Sequence, residues 1–134
     1  MEKEKIIRGI YKITNKINNK IYIGESLDIH RRWKEHIDDL NNNQHHSYKL
    51  QKDWNMYGQD KFTFDVVEEL EQDIDTFSAK YILVIYENKY IKFYNSLNEG
   101  YNCEDTLFEI LSGNKKMMFN NNDHSVEIMK KNDK

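Results

Sequence analysis

Five side chains in this sequence stand out by type and spacing as candidates for chemistry. Tyr11 closes and Tyr22 opens two short triplets, Gly9-Ile10-Tyr11 and Tyr22-Ile23-Gly24. Arg32 and His36 follow one helical turn apart, a pairing able to grip a phosphate and handle a proton. Glu87 lies in an apolar setting, with Leu83, Val84, Tyr90 and Ile91 at the helical neighbour positions. A carboxylate held there loses hydration and needs a cation or donors, which a hard divalent ion such as Mg²⁺ would supply.

Each has a plainer reading. Aromatic residues favour strands, which suffices for either tyrosine alone. Arg32 and His36 could be a solvated helix flank, the arginine stem covering the core. Glu87 could sit at the edge of a buried helix and reach water. Asn102 follows a turn and could cap a loop, or brace the glutamate or a phosphate.

The elements that must position these residues follow from the pattern. Ile6–Ile13 and Lys20–Gly24 are short apolar stretches joined by Thr14-Asn15-Lys16-Ile17-Asn18-Asn19. Asparagine tolerates positive φ and bonds its own backbone, so this reads as a β-hairpin. Gly9 and Gly24 sit at its outer ends, where missing side chains would let a ligand approach. Asp28 is a plausible N-cap for a helix with Ile29, Trp33, Ile37 and Leu40 as its stripe. At about 100° per residue, Arg32 and His36 lie about 100° and 60° from Trp33 on the same side. Leu50, Trp54 and Tyr57 mark a second helix, stopped at Gly58. Phe62–Val66 alternates as a third strand. An acidic connection leads into a helix from about Ile74 to Tyr94, apolar over much of its circumference and expected to be well buried. The order β-β-α-α-β-α implies an α+β domain, a small antiparallel sheet with helices packed on it. Its expected span is 5–103. Residues 104–134 read as an extension: a short helix through Leu107, Phe108, Ile110 and Leu111, ending at Gly113, then a loose polar tail from Asn120.

Composition narrows the class. A chain of 134 residues suits one compact domain. Mean hydropathy is −0.93 and 32% of residues are charged, so a soluble chain is expected. No apolar run approaches the roughly 18 residues that span a bilayer, and Met1-Glu2-Lys3-Glu4-Lys5 is not a signal peptide. The single cysteine, Cys103, excludes an internal disulfide and fits a cytoplasmic location. Net charge is −3, but residues 1–61 carry 12 Lys and Arg against 9 Asp and Glu, and residues 62–134 carry 8 against 14. The half with the paired tyrosines is therefore the basic one, the side a nucleic-acid backbone would meet. Five histidines and one cysteine lack zinc-finger spacing. His45 and His46 are adjacent, so their side chains would diverge on an extended segment.

Taken together, Gly9-Ile10-Tyr11, Tyr22-Ile23-Gly24, Arg32, His36, His45, Glu87 and Gly100-Tyr101-Asn102 resemble the GIY-YIG nuclease domain, from about Gly9 to Asn102. Asn18–Gly24, Arg32–His36 and Lys49-Leu50-Gln51 are most similar to the catalytic domain of intron-encoded homing endonucleases. The resemblance implies a three-stranded antiparallel sheet flanked by helices. It implies a metal-dependent endonuclease acting on double-stranded DNA, as monomer or homodimer, leaving 5′-phosphate and 3′-hydroxyl ends. Glu87 would hold one divalent ion, Mg²⁺ or Mn²⁺. Arg32 would grip the scissile phosphate. Tyr11 would take the proton of the attacking water, His36 would accept the phenol's proton, and Tyr22 would position water or phosphate. Gly9, Gly24, His45, Lys49 and Asn102 would lie on the substrate side. A branched-DNA repair nuclease and a non-cleaving DNA-binding module on the same fold are the alternatives. The 32 residues after Asn102 carry no helix-turn-helix or zinc pattern, so target recognition is unassigned.

Overall fold

A computed structural model describes residues 5–103 together with 115–120 and 125–130. The hairpin forms as its asparagines require. Strands β1 (Gly9–Asn15) and β2 (Ile21–Ser26) pair antiparallel, Tyr11 opposite Gly24 and Ile13 opposite Tyr22. In the loop, Asn15 and Asn18 accept the Ile17 and Lys20 amides through their side chains, and Asn19 takes a positive φ of 62°. Asp28 caps α1 (Ile29–Asn41) by accepting from the Arg31 amide. Ser47 caps α2 (Tyr48–Tyr57), and Gly58, at φ 89°, ends it. A 3₁₀ turn, Gln59–Lys61, leads into β3 (Phe62–Glu69). Asp75 caps α3 (Thr76–Tyr94), and Asn95 ends it in the left-handed region before the single turn α4 (Ser96–Glu99).

The sheet order is β2-β1-β3, antiparallel throughout, as the resemblance implies. Period-two alternation sends Tyr11, Ile13 and Tyr22 to one face and Ile10 and Ile23 to the other. The first face packs on Ile29 and Leu40 of α1 and on Leu50 and Trp54 of α2. The second packs on Ala79, Leu83 and Ile91 of α3. So small a sheet buries only one side of a helix. Phe77, Tyr81 and Phe93 are left 58, 54 and 75% exposed, and α3 is less buried than its composition suggests.

Two glycines answer to backbone, not to a ligand. The β1–β3 register slips between Ile10 and Tyr11, a bulge that carries β3 on to Glu69 past the expected end at Val66. It brings the Glu68 carbonyl to where a Gly9 Cβ would stand. Gly9 is thus held against β3, not left open for substrate. A Cβ on Gly100 would strike the Ile21 carbonyl and Ser96.

Gly100-Tyr101-Asn102 also closes part of the free edge of β2. The Tyr101 amide donates to the Ile21 carbonyl at 2.9 Å. The Asn102 side chain copies a peptide group, accepting from the Ile23 amide at 2.8 Å and donating to the Ile23 carbonyl at 2.9 Å. Ser96 Oγ donates to the same amide oxygen at 2.7 Å. This is edge protection by a side chain.

The short helix expected over 107–113 lies outside the described residues. Part of the stretch expected as a loose tail is strand: β4 (Lys115–Asn120) pairs antiparallel with β5 (Ser125–Lys130). Val126 and Ile128 alternate with Ser125 and Glu127, a period-two pattern that the polar composition around it masks.

Asn102→Ala should strand both Ile23 backbone groups and cost about 2–4 kcal/mol, the range for leaving buried donors and acceptors unmade. Urea unfolding against an exposed control such as Lys52→Ala measures it; a shift no larger than the control's would show that water replaces the amide.

Candidate active site

The triplets meet because Tyr11 stands across from Gly24. Its ring occupies the space of the missing side chain: a Cβ on Gly24 would fall among the Tyr11 Cζ, Oη and Cε2 atoms. Trp33 holds the ring edge-on, centroids 6.2 Å apart. Tyr11 is 1% exposed and Tyr22 8%, so only their hydroxyl ends are in question.

Both tyrosines line a cavity of about 330 Å³. Its wall includes Tyr11, Tyr22 and Gly24, Arg32 from α1 and Glu87 from α3. Arg31, Glu35, Glu25 and Lys80 complete its charged lining. Gly24 and Glu25 point to opposite faces of β2 and yet share this wall, so the cavity opens around the edge of that strand. That is how a carboxylate on the α3 side meets phenols on the α1 side.

Behind Tyr11 runs a buried row of imidazoles. Tyr11 Oη lies 2.5 Å from His36 Nε2, and His36 Nδ1 lies 2.7 Å from His45 Nε2. The Ser47 amide donates to His45 Nδ1 at 3.0 Å. His45 and His46 stack with centroids 4.4 Å apart, because the chain bends at His46; the divergence expected of an extended segment does not occur. His46 Nε2 lies 2.9 Å from Tyr22 Oη, so each phenol has its own imidazole.

Several expected site residues are therefore placed off the wall. His36 and His45 stand behind Tyr11. Lys49 Nζ donates to the Leu97 carbonyl at 2.9 Å, tying α2 to α4. Asn102 braces β2, and Gly9 packs on β3. Other wall residues escape the sequence reading. Lys80 Nζ is 2.6 and 2.7 Å from the two Glu25 oxygens, a pair 11 and 14% exposed. Lys80 precedes Glu87 by two helical turns and Glu25 directly follows Tyr-Ile-Gly; that spacing was the available signal. Arg31 also reaches the cavity, with Glu35, whose carboxylate is 3.6 Å from Arg32.

Burial governs the titration. It pushes Tyr11 well above the ordinary phenol range, helped by Tyr22 and opposed by Arg32. It raises Tyr22 too, with Glu87 next in effect. Burial works against the charge on Arg32, but Tyr11, Tyr22 and Glu35 outweigh it and raise its pKa. His36 is driven down to about 2 by burial, then Arg32 and the neighbouring imidazoles; His45 falls to about 4 by burial, then His46.

The family model of the GIY-YIG catalytic domain matches residues 7–102. This chain belongs to that family. It is 39% identical over 100 residues to Intron-associated endonuclease 1 of Enterobacteria phage T4, a match covering 75% of this chain and 38% of that protein. The chain thus matches under half the length of that relative. Among solved structures it is similar to the catalytic domain of homing endonuclease I-TevI, with a TM-score of 0.65 and 38% identity, covering 73% of this chain and 99% of that one. A mutant form of the same domain superposes at a TM-score of 0.66 with 37% identity, covering 75% and 96%.

His36 and His45 are neutral in the fold and titrate near 6.5 once unfolded, so below that pH the unfolded chain binds more protons. Their contribution is complete above about pH 6.5 and is lost as pH falls, through about 4 for His45 and on toward about 2 for His36. Unfolding free energy should drop by about 2–3 kcal/mol between pH 7 and 5.5, from about 1.4 kcal/mol per unit for each group. Denaturant midpoints at the two pH values test this; a His36→Gln/His45→Gln double variant should show a flatter dependence.

Proposed function

We propose that residues 5–103 are the catalytic unit of a homing or intron-type DNA endonuclease that hydrolyses a phosphodiester to 5′-phosphate and 3′-hydroxyl ends. The carrying observation is that Glu87, Arg32, Tyr11 and Tyr22, from four separate elements, line one cavity. Groups for gripping a phosphate, moving a proton and holding a hard cation are all needed in phosphodiester hydrolysis, and here they share one wall.

The donor set fits one hard divalent ion, Mg²⁺ or Mn²⁺. Among the described residues no group of three His, Cys, Asp or Glu is disposed as a metal cage. Glu87 on the cavity wall would be the ion's carboxylate ligand. One carboxylate, with water and phosphate oxygens completing the shell, is how Mg²⁺ usually binds. Such an ion supplies positive charge against the negative charge that grows on the departing 3′ oxygen.

The chain's own residues do the rest. Arg32 presents a planar fork to the non-bridging phosphate oxygens. Tyr11 takes a proton from the attacking water. Burial opposes the phenolate this requires, while the Arg32 guanidinium favours it. Tyr22, held by His46, orients water or phosphate through its hydroxyl. The basic first half of the chain, with Arg31 and Lys34 on α1, meets the duplex backbone, so binding should weaken as salt rises.

Incubation with supercoiled plasmid and Mg²⁺ or Mn²⁺ tests the reading. Nicked or linear product is expected. Glu87→Gln, Arg32→Ala and Tyr11→Phe should each slow it by about 10²–10³-fold, the scale of removing one transition-state contact. Equal background nicking by wild type and Glu87→Gln would refute the assignment, and DNA retention without strand breaks would make the chain a binding module.

A further inference from the structure

The row of imidazoles behind Tyr11 has a direction, and its first member sets it. A backbone amide can only donate. The Ser47 amide points at His45 Nδ1 from 3.0 Å, so that nitrogen carries a lone pair and the His45 proton is on Nε2. His45 Nε2 faces His36 Nδ1 at 2.7 Å, so His36 accepts there and holds its own proton on Nε2. His36 Nε2 faces Tyr11 Oη at 2.5 Å. The phenol oxygen must therefore accept. Arg32 shares the cavity wall with Tyr11, and a guanidinium also only donates, so it offers the phenol no acceptor. With His36 donating to its oxygen, the Tyr11 hydroxyl has its own proton directed away from the imidazole, toward the cavity side.

Ser47 can serve as anchor because it is the α2 N-cap. Its hydroxyl accepts from the Leu50 amide at 3.2 Å and donates to the Tyr101 carbonyl at 2.5 Å. Its amide, outside the helical ladder, is left for the imidazole two residues back. Gln51 fixes the same bend by accepting the His45 amide at 3.1 Å.

We propose that His45 and His36 are positioning residues that form a one-way chain of donors from the Ser47 amide to the Tyr11 oxygen, so the phenol releases its proton into the cavity and never into the imidazoles. This inverts the role expected for His36, which has no lone pair facing Tyr11. The inference deepens the nuclease reading and rests on it for its catalytic meaning. In that reaction Tyr11 first loses its proton to a solvent water in the cavity. As the attacking water's oxygen bonds to phosphorus, one of its O–H bonds breaks and that proton goes to the Tyr11 oxygen. The bond from phosphorus to the 3′ oxygen breaks, the electron pair leaves with that oxygen, and solvent protonates it. His36 contributes a hydrogen bond that is stronger to phenolate than to phenol.

The test reads tautomers directly. In the full chain labelled with ¹⁵N-histidine, long-range ¹H–¹⁵N correlation at neutral pH should show Nε2 protonated and Nδ1 bare in both His36 and His45, assigned by His36→Gln and His45→Gln. A protonated Nδ1 on either ring overturns the proposal. His45→Ala should lower the Nε2–H population of His36 with the fold intact by circular dichroism, and His45→Gln, whose amide can again donate, should restore it; an unchanged His36 tautomer in His45→Ala also overturns it. If the tautomers are as stated and plasmid cleavage fails, the nuclease reading falls and the donor chain stands. If cleavage occurs with the opposite tautomers, the donor chain alone falls.

Discussion

The contact on which the site depends is a tyrosine ring lying in the place of a side chain that glycine lacks. Tyr11 and Gly24 are cross-strand partners, and the ring folds over the bare Cα. Any residue larger than glycine at 24 would move the ring off its support. The hydroxyl would then leave His36, and the edge-on contact with Trp33 would go with it. Gly9-Ile10-Tyr11 and Tyr22-Ile23-Gly24 are thus one packing unit. Its glycines have different work: Gly24 makes room for a ring, and Gly9 for the β3 bulge.

A second constraint is that β2 is an edge strand. A cavity over the middle of a sheet receives side chains from one face only. Around the edge of β2, Tyr22 and Gly24 from one face and Glu25 from the other share a wall with α1 and α3. Edge strands invite unwanted pairing. Here Tyr101 and Asn102 occupy the edge at Ile21 and Ile23, and the cavity takes Tyr22 and the strand from Gly24 onward. The wall is balanced in formal charge, Arg31, Arg32 and Lys80 against Glu25, Glu35 and Glu87. A lone phosphodiester anion would tip it negative, and a lone divalent ion strongly positive. Within the proposed reading the two should therefore bind best together, since each offsets the other's charge in a half-enclosed site.

Much of this was legible in the sequence, for local reasons. The hairpin, the Asp28 cap, the α1 stripe and the Gly58 stop each depend on a few neighbouring residues, and those rules are strong. What was not legible depends on partners distant in sequence. β3 runs to Glu69 because a bulge in its pairing with β1 resets the alternation at Val66 and Val67, and no reading of the strand alone shows a bulge. Lys49 looked like a substrate-facing cation, yet its ammonium group is spent on a carbonyl 48 residues away. Lys80 and Glu25 were passed over because their pairing spans 55 residues, and only their positions beside Glu87 and Tyr-Ile-Gly hint at it. For His45 and His46 the alternation rule holds only along an extended chain, and the bend at His46 stacks the two rings instead.

Reading the imidazole row as a donor chain also resolves a tension in the site. Burial raises the Tyr11 pKa, which disfavours the phenolate that a proton-accepting tyrosine must become. An imidazole placed to take the phenol's proton would add a second difficulty, because burial and Arg32 oppose any charge on His36. Donation eases the first and avoids the second. The imidazoles stay neutral throughout, so no positive charge is created behind Tyr11, and the phenolate gains a short hydrogen bond on the side away from water. The arrangement works only if every link is held, since a half-satisfied buried network costs more than an apolar core. The loop from Asn42 to Ser47 therefore carries an unusual share of fixed contacts. Gln51 Nε2 donates to the Leu40 carbonyl, Asn55 to Asn43, and the Gln44 amide to the Asp39 carbonyl. These bonds lie well away from the cavity, and their effect on the chemistry is to keep one backbone amide aimed at one ring nitrogen.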